Sequence, residues 1–160
     1  MKTMTSESTK HHKTETPLLA ALNLVLADTY SLMGLTHLAH WNVEGPSFFA
    51  LHKAFEEQYQ ELFEAVDEIA ERVRALGGYA VGGLEKLSKM AGMDEFSSPQ
   101  SQKDYVAALI GCHEKVIHDA IRARDMAGEM NDLESQDMMI QKITWHEKTL
   151  WMLKAFLKQG

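Results

Sequence analysis

Two histidines and three carboxylates between His40 and Glu71 have the donor types and the spacing to hold metal ions. Wound as one helix from about Ser47 to Leu76, this stretch brings His52, Glu56, Asp67 and Glu71 within an arc of about 100°. His52 and Glu56 are one helical turn apart, as are Asp67 and Glu71, so each pair forms a two-point clamp. His52 and Asp67 are 15 positions apart, which at 1.5 Å per residue is roughly 22 Å along the axis. No single ion can touch both clamps on one straight helix. They meet only if a second copy of the helix runs antiparallel alongside, as across a two-fold axis. The spacing therefore predicts a metal site built between subunits. His40 ends the preceding helix, and a short loop can return it toward His52.

Mixed imidazole and carboxylate ligation suits iron, manganese or zinc, and no thiolate pattern competes. Few protein donors per ion leave open coordination positions, which favours chemistry over a closed structural site. Bundles that hold a di-iron centre inside one subunit typically use Glu-x-x-His on two helices. Here the residues three before His37, His40, His52, His113, His118 and His146 are Gly34, His37, Phe49, Ile110, Lys115 and Ile143, and none is Glu. A centre inside one subunit is not expected.

Glu57, Glu61, Glu64 and Glu68 lie on the same helix, about 120° to 180° from His52. They read as a solvated face or, in a closed shell, as a lining that gathers cations. His37, one turn before His40, reads as a packing residue or an outer ligand.

The elements that must position these residues are helical throughout. Thr16-Pro17 starts a helix, with Thr as N-cap and Pro in the first turn. Its apolar period runs to about Asn42, and Gly45-Pro46 ends it. The second helix stops at Gly77-Gly78, and its stripe of Leu51, Phe55, Tyr59, Leu62, Val66, Ile69 and Val73 faces a core. A short helix is expected from about Leu84 to Met90. A third long helix covers roughly 100–128, with Tyr105, Leu109, Val116, Ile117 and Ile121. A fourth covers roughly 133–158, with Met138, Ile140, Ile143, Leu150, Leu153 and Phe156. This is an all-α four-helix bundle with a short extra helix in the crossover between helices two and three. Residues 16–160 form the domain, and residues 1–15 read as a flexible polar tail.

The chain has 160 residues, 45% hydrophobic and 24% charged, as in an ordinary globular domain. A net charge of −7 argues against a broad basic surface for nucleic acid and suits a protein that attracts cations. In the tail, three lysines against two glutamates leave +1, so DNA association is expected to be weak or absent. His11 and His12 could collect stray metal. Cys112 stands alone, which points to a reducing compartment and a small buried hydrophobe. No run of about 18 apolar residues suggests a membrane span, and no secretory signal opens the chain. The expected location is the cytoplasm.

The stretch from His40 to Gly78 resembles the signature of the Dps family, the mini-ferritins that protect bacterial DNA during starvation and oxidative stress. It carries the His-Trp-Asn start at His40, Asp-x-x-x-Glu-Arg at residues 67–72 and the Leu-Gly-Gly end at residues 76–78. The resemblance extends from about Thr16 to the C-terminus and implies a ferritin-like bundle. It places a ferroxidase site on His40, His52 and Glu56 of one subunit with Asp67 and Glu71 of its two-fold partner. Glu56 stands where the family often has Asp. Trp41 matches a tryptophan beside the family's site, either a sink for an oxidising equivalent or a packed interface aromatic. The family implies a hollow homo-dodecamer that oxidises Fe(II) with hydrogen peroxide, less efficiently with dioxygen, and stores ferric mineral. Zinc or manganese can substitute at such sites, and nucleoid association is possible. Asp132 and Asp137 resemble acidic pore residues, with Gln141 where a further carboxylate belongs. The rival readings are a nucleoid-associated protein that compacts DNA and a passive metal store without turnover.

Overall fold

In the computed structural model, residues 16–158 are described and form five helices. These are α1 (Pro17–Asn42), α2 (Phe48–Ala75), α3 (Leu84–Ala91), α4 (Gln102–Glu129) and α5 (Leu133–Leu157). The bundle and the short crossover helix are as expected, with helix ends within two residues of those read from sequence. The polar tail and the His11-His12 pair lie outside the described residues.

Local signals set the helix ends. The Thr16 hydroxyl accepts from the Leu19 N–H at 3.2 Å, and Pro17 occupies the first turn of α1. Ser101 caps α4 by accepting from the Asp104 N–H at 3.1 Å. At the end of α2, Gly77 has φ +84, a left-handed conformation that a side chain would strain. The next glycine has a different role. A Cβ on Gly78 would lie 2.8 Å from the buried Leu19 side chain, so the chain leaves α2 in close contact with α1. Asn23 then pins the link: its amide donates to the Tyr79 carbonyl at 3.1 Å and accepts from the Val81 N–H at 2.8 Å.

The core has two main parts stacked along the bundle. One joins Leu32, Leu35 and Ala39 of α1 to Leu51, Phe55 and Leu62 of α2 and to Tyr105, Val106 and Leu109 of α4. The other joins Leu18, Leu22 and Leu26 to Ile69 and Val73, and to Ala120, Ala123, Ala127 and Met139. Rising numbers in α1 thus meet falling numbers in α2 and in α4. Helix α2 therefore runs parallel to α4, and the long crossover carrying α3 is what such a pairing needs. Helix α1 has the apolar length to cross a bilayer, yet 67% of its most apolar stretch is buried in the bundle. Ile140, read as part of the apolar pattern of α5, is turned outward, and Met139 takes the core position instead.

Candidate metal centre

The turn between α1 and α2 is only five residues long, which makes the two helices antiparallel neighbours and brings His40 onto His52. Val43 continues the last turn of α1 through its N–H to the Ala39 carbonyl, 2.9 Å. Gly45 then reverses the chain at φ +115, and the Phe48 N–H returns to its carbonyl at 3.0 Å. The two imidazoles stack with centroids 3.8 Å apart and planes 18° apart. Nδ1 of His40 is 2.8 Å from the His52 carbonyl, and Nδ1 of His52 is 2.8 Å from the His40 carbonyl. A carbonyl only accepts, so each Nδ1 carries the proton and each Nε2 keeps its lone pair. That is the tautomer a metal ligand needs, fixed by main-chain groups. Phe48 stacks on His52 at 5.0 Å, and Tyr59 meets His40 edge-on at 5.2 Å.

The carboxylates are placed differently. Glu56 lies one turn beyond His52, but its Oε2 is 3.0 Å from the Lys53 ammonium, which also stands 3.9 Å from Glu57. That hydrogen bond, with the charge behind it, lowers the Glu56 carboxyl pKa and raises that of Lys53. Asp67 and Glu71 are not buried on α2 and pair with no other described residue. No three His, Cys, Asp or Glu side chains among the described residues converge as a metal-binding group. One subunit thus brings together His40 and His52, keeps Glu56 nearby, and leaves Asp67 and Glu71 apart. The separation inferred from helical rise holds in three dimensions because α2 runs unbroken from Phe48 to Ala75.

His37 stacks on Trp41 at 5.1 Å and meets Tyr59, tilted by 36°, at 4.1 Å, and burial followed by the neighbouring His40 lowers its pKa. Trp41 is 68% exposed, with its ring stacked on His37. Of the acidic strip, Glu68 pairs with Lys142 of α5 and Glu57 lies near Lys53, whereas Glu61 and Glu64 form no ion pair among the described residues. Cys112 is half-buried, and burial, then the charge of Asp28, pushes its thiol up to about 11. An inert thiol fits its reading as a small hydrophobe.

Asp132, which resembles an acidic pore residue, makes its contacts within the subunit at the start of α5. Its carboxylate caps α5, accepting from the Ser135 N–H at 3.1 Å and from the Ser135 hydroxyl at 2.7 Å. It also takes a 2.5 Å ion pair from Arg72, whose Nε donates to Ser135 at 2.8 Å. Burial opposes ionisation, but the Ser135 and Arg72 contacts outweigh it and hold Asp132 below the usual carboxylate range. These contacts tie α2 to the start of α5. Asp137 is exposed and accepts from the Gln141 amide at 2.7 Å.

Sequence reading missed a second histidine pair. His113 of α4 and His146 of α5 are buried, with Nδ1 atoms 2.7 Å apart, so one must donate and the other accept. Their place on apolar stripes, Leu109-His113-Val116 and Ile143-His146-Leu150, was a legible signal of burial. That they face each other was not legible.

A ferritin-like domain family matches residues 19–160. A DNA protection during starvation protein of Bacillus anthracis is 33% identical over 142 residues, 89% of this chain and 97% of that one. The chain belongs to the Dps family. A low temperature-induced protein of Nostoc sp. is 39% identical over 139 residues, 86% of this chain and 78% of that protein. Among solved structures, the Dps protein of Vibrio cholerae O1 superposes with a TM-score of 0.85 at 32% identity, covering 88% of this chain and 89% of that one. That relative is described as a member of a broad superfamily of ferritin-like diiron-carboxylate proteins. Within a Dps chain the signature residues now have physical roles. His40 and His52 lock each other's tautomer, Arg72 ties α5 to α2, and the two glycines end α2 and let it approach α1.

Proposed function

We propose that this Dps protein is a ferroxidase that oxidises Fe(II) with hydrogen peroxide, and with dioxygen less efficiently, at sites shared across a two-fold axis. His40, His52 and Glu56 of one subunit act there with Asp67 and Glu71 of the other. The observation that carries this reading is the reciprocal bonding of His40 and His52, which leaves two imidazole Nε2 lone pairs beside a carboxylate. Nitrogen and carboxylate oxygen donors fit ferrous iron, and carboxylates favour the harder ferric product. Zinc and manganese are accepted by the same donors. The metal ions are substrate here: two Fe(II) each give one electron to one peroxide, which leaves as two hydroxides, so no hydroxyl radical is released. Trp41, next to His40 in sequence and stacked on His37, would give the second electron when only one Fe(II) is present.

The wider reading is a hollow homo-dodecamer that stores ferric mineral in the cytoplasm and shields DNA by removing iron and peroxide together. The relatives' DNA-protection names fit chemical shielding, and a body of charge −7 gives little attraction to a polyphosphate. A gel shift that survives about 0.15 M salt would favour direct compaction instead.

Sharing between subunits is tested by complementation. His52→Ala and Asp67→Ala proteins are each expected to lose rapid peroxide-driven oxidation in stopped-flow absorbance. When the two are co-assembled, one of the two sites across each mixed two-fold regains all five donors, and activity returns. Absence of recovery in a mixed oligomer of native size would reject the shared site. Unchanged activity in both single variants would reject the residue assignment.

A further inference from the structure

Lys53 lies one residue after a candidate ligand and three before another, and its ammonium holds the Glu56 carboxylate at 3.0 Å. The pair is local to α2, at i and i+3, and the Lys53 side chain is 63% exposed while that of Glu56 is 33% exposed. Glu56 is within Coulombic range of the His40 and His52 imidazoles, yet the three groups do not converge as a metal-binding cluster. The carboxylate is therefore near its proposed partners but engaged by an ammonium. Residues three apart are neighbours on a helix surface, so the Lys53 ammonium reaches the Glu56 carboxylate without distorting α2.

From this geometry we infer that Lys53 is a positioning residue: it acts as an internal stand-in cation for Glu56 and must be displaced before that carboxylate can take part in metal binding. The inference rests on the reading of His40, His52 and Glu56 as metal donors. It goes further by assigning a competitor to one of them. Both imidazoles are prearranged by main-chain hydrogen bonds, whereas Glu56 is not, so a metal ion that uses the histidines binds before any that depends on Glu56. Lys53 then weakens the later-filled position. An exposed ion pair of this kind is worth a small multiple in affinity, roughly two- to fivefold. It also makes the later position more sensitive to ionic strength than the first, because salt screens the Lys53–Glu56 attraction.

The test is zinc binding to the assembled oligomer, followed by calorimetry, with no oxidation step involved. Lys53→Gln is expected to tighten the weaker zinc position by roughly two- to fivefold and to leave the tighter one unchanged. Lys53→Arg, which keeps the cation, is expected to behave as the parent protein. Glu56→Gln removes the charge that holds the ammonium, so adding Lys53→Gln in that background should change nothing. Equal tightening by Lys53→Gln in the parent and in the Glu56→Gln variant would overturn the inference, because Lys53 would then act only as a nearby charge. No tightening in either background would overturn it as well. If His52→Ala left both zinc positions intact, the reading of the site itself would fail, a result distinct from either of these.

Discussion

The His40 imidazole donates to the main-chain carbonyl of His52 while the His52 imidazole donates to that of His40, so each ring is held by the other residue's backbone. Backbone carbonyls survive side-chain substitution. His40→Ala therefore removes one nitrogen donor without freeing the His52 ring, and the reverse variant does likewise. Each is expected to lower the peroxide-driven oxidation rate by at least about tenfold, since even outer-shell partners of ligands cost that much. The fold should be unaffected. Stopped-flow rates beside far-UV circular dichroism check both halves of this statement.

Arg72 follows the last candidate ligand, Glu71, but points about 100° away around α2, where it meets Asp132 and Ser135. Arg72→Met leaves a largely buried carboxylate without its counter-ion and is expected to cost about 2 to 3 kcal/mol. Urea unfolding at fixed protein concentration measures this. The zinc affinity of assembled protein should stay within about twofold of the parent, separating Arg72 from the metal site.

The His113–His146 pair predicts acid sensitivity. Burial lowers His113 from 6.5 to about 3 and also drives His146 well below its ordinary value, the latter helped by His113 and Lys142. Both are neutral when folded, while the unfolded chain binds protons as pH falls through the ordinary histidine range. Stability is therefore full above that range and declines on the way down to about pH 3. At about pH 5 the cost is about 2 kcal/mol for His113 alone. A His113→Leu, His146→Leu double variant should lose less stability between about pH 7 and about pH 5 than the parent. Melting curves at the two pH values decide it, and parallel losses would reject the assignment.

Asp28 predicts the opposite slope. It is fully buried on α1, with Oδ1 2.8 Å from Lys115, whose ammonium also pairs with Asp119 at 2.8 Å. Oδ2 has no partner. Burial outweighs the Lys115 contact and raises the carboxyl from 3.8 to about 7. A raised folded value means that the stability present below 3.8 is lost as pH climbs to about 7. Asp28→Asn, which does not titrate, is expected to gain on the parent by about 1 to 3 kcal/mol between about pH 5 and about pH 8. Melting temperatures of the two proteins against pH should separate over that interval, and parallel curves would reject the role given to Asp28.

Some of this protein is decided one residue at a time along the chain, and sequence alone determines that part. Helix ends follow Thr16-Pro17 and Gly77 because capping and left-handed φ are local matters. The separation of His52 from Asp67 follows from helical rise, which is why a site shared between subunits could be proposed from spacing alone. Tertiary structure decided the relations between residues that share no helix. It set His40 against His52 in a mutual tautomer lock, buried His113 on His146, and paired Asp132 with Arg72. Periodicity marks which face of a helix is buried, but not the rotation and axial register that choose its opposite number. Those are fixed when both core clusters close around α1. Glu56 shows the same limit at shorter range. Its spacing marked it as a donor to metal, and only the folded side chains revealed that Lys53 already holds it.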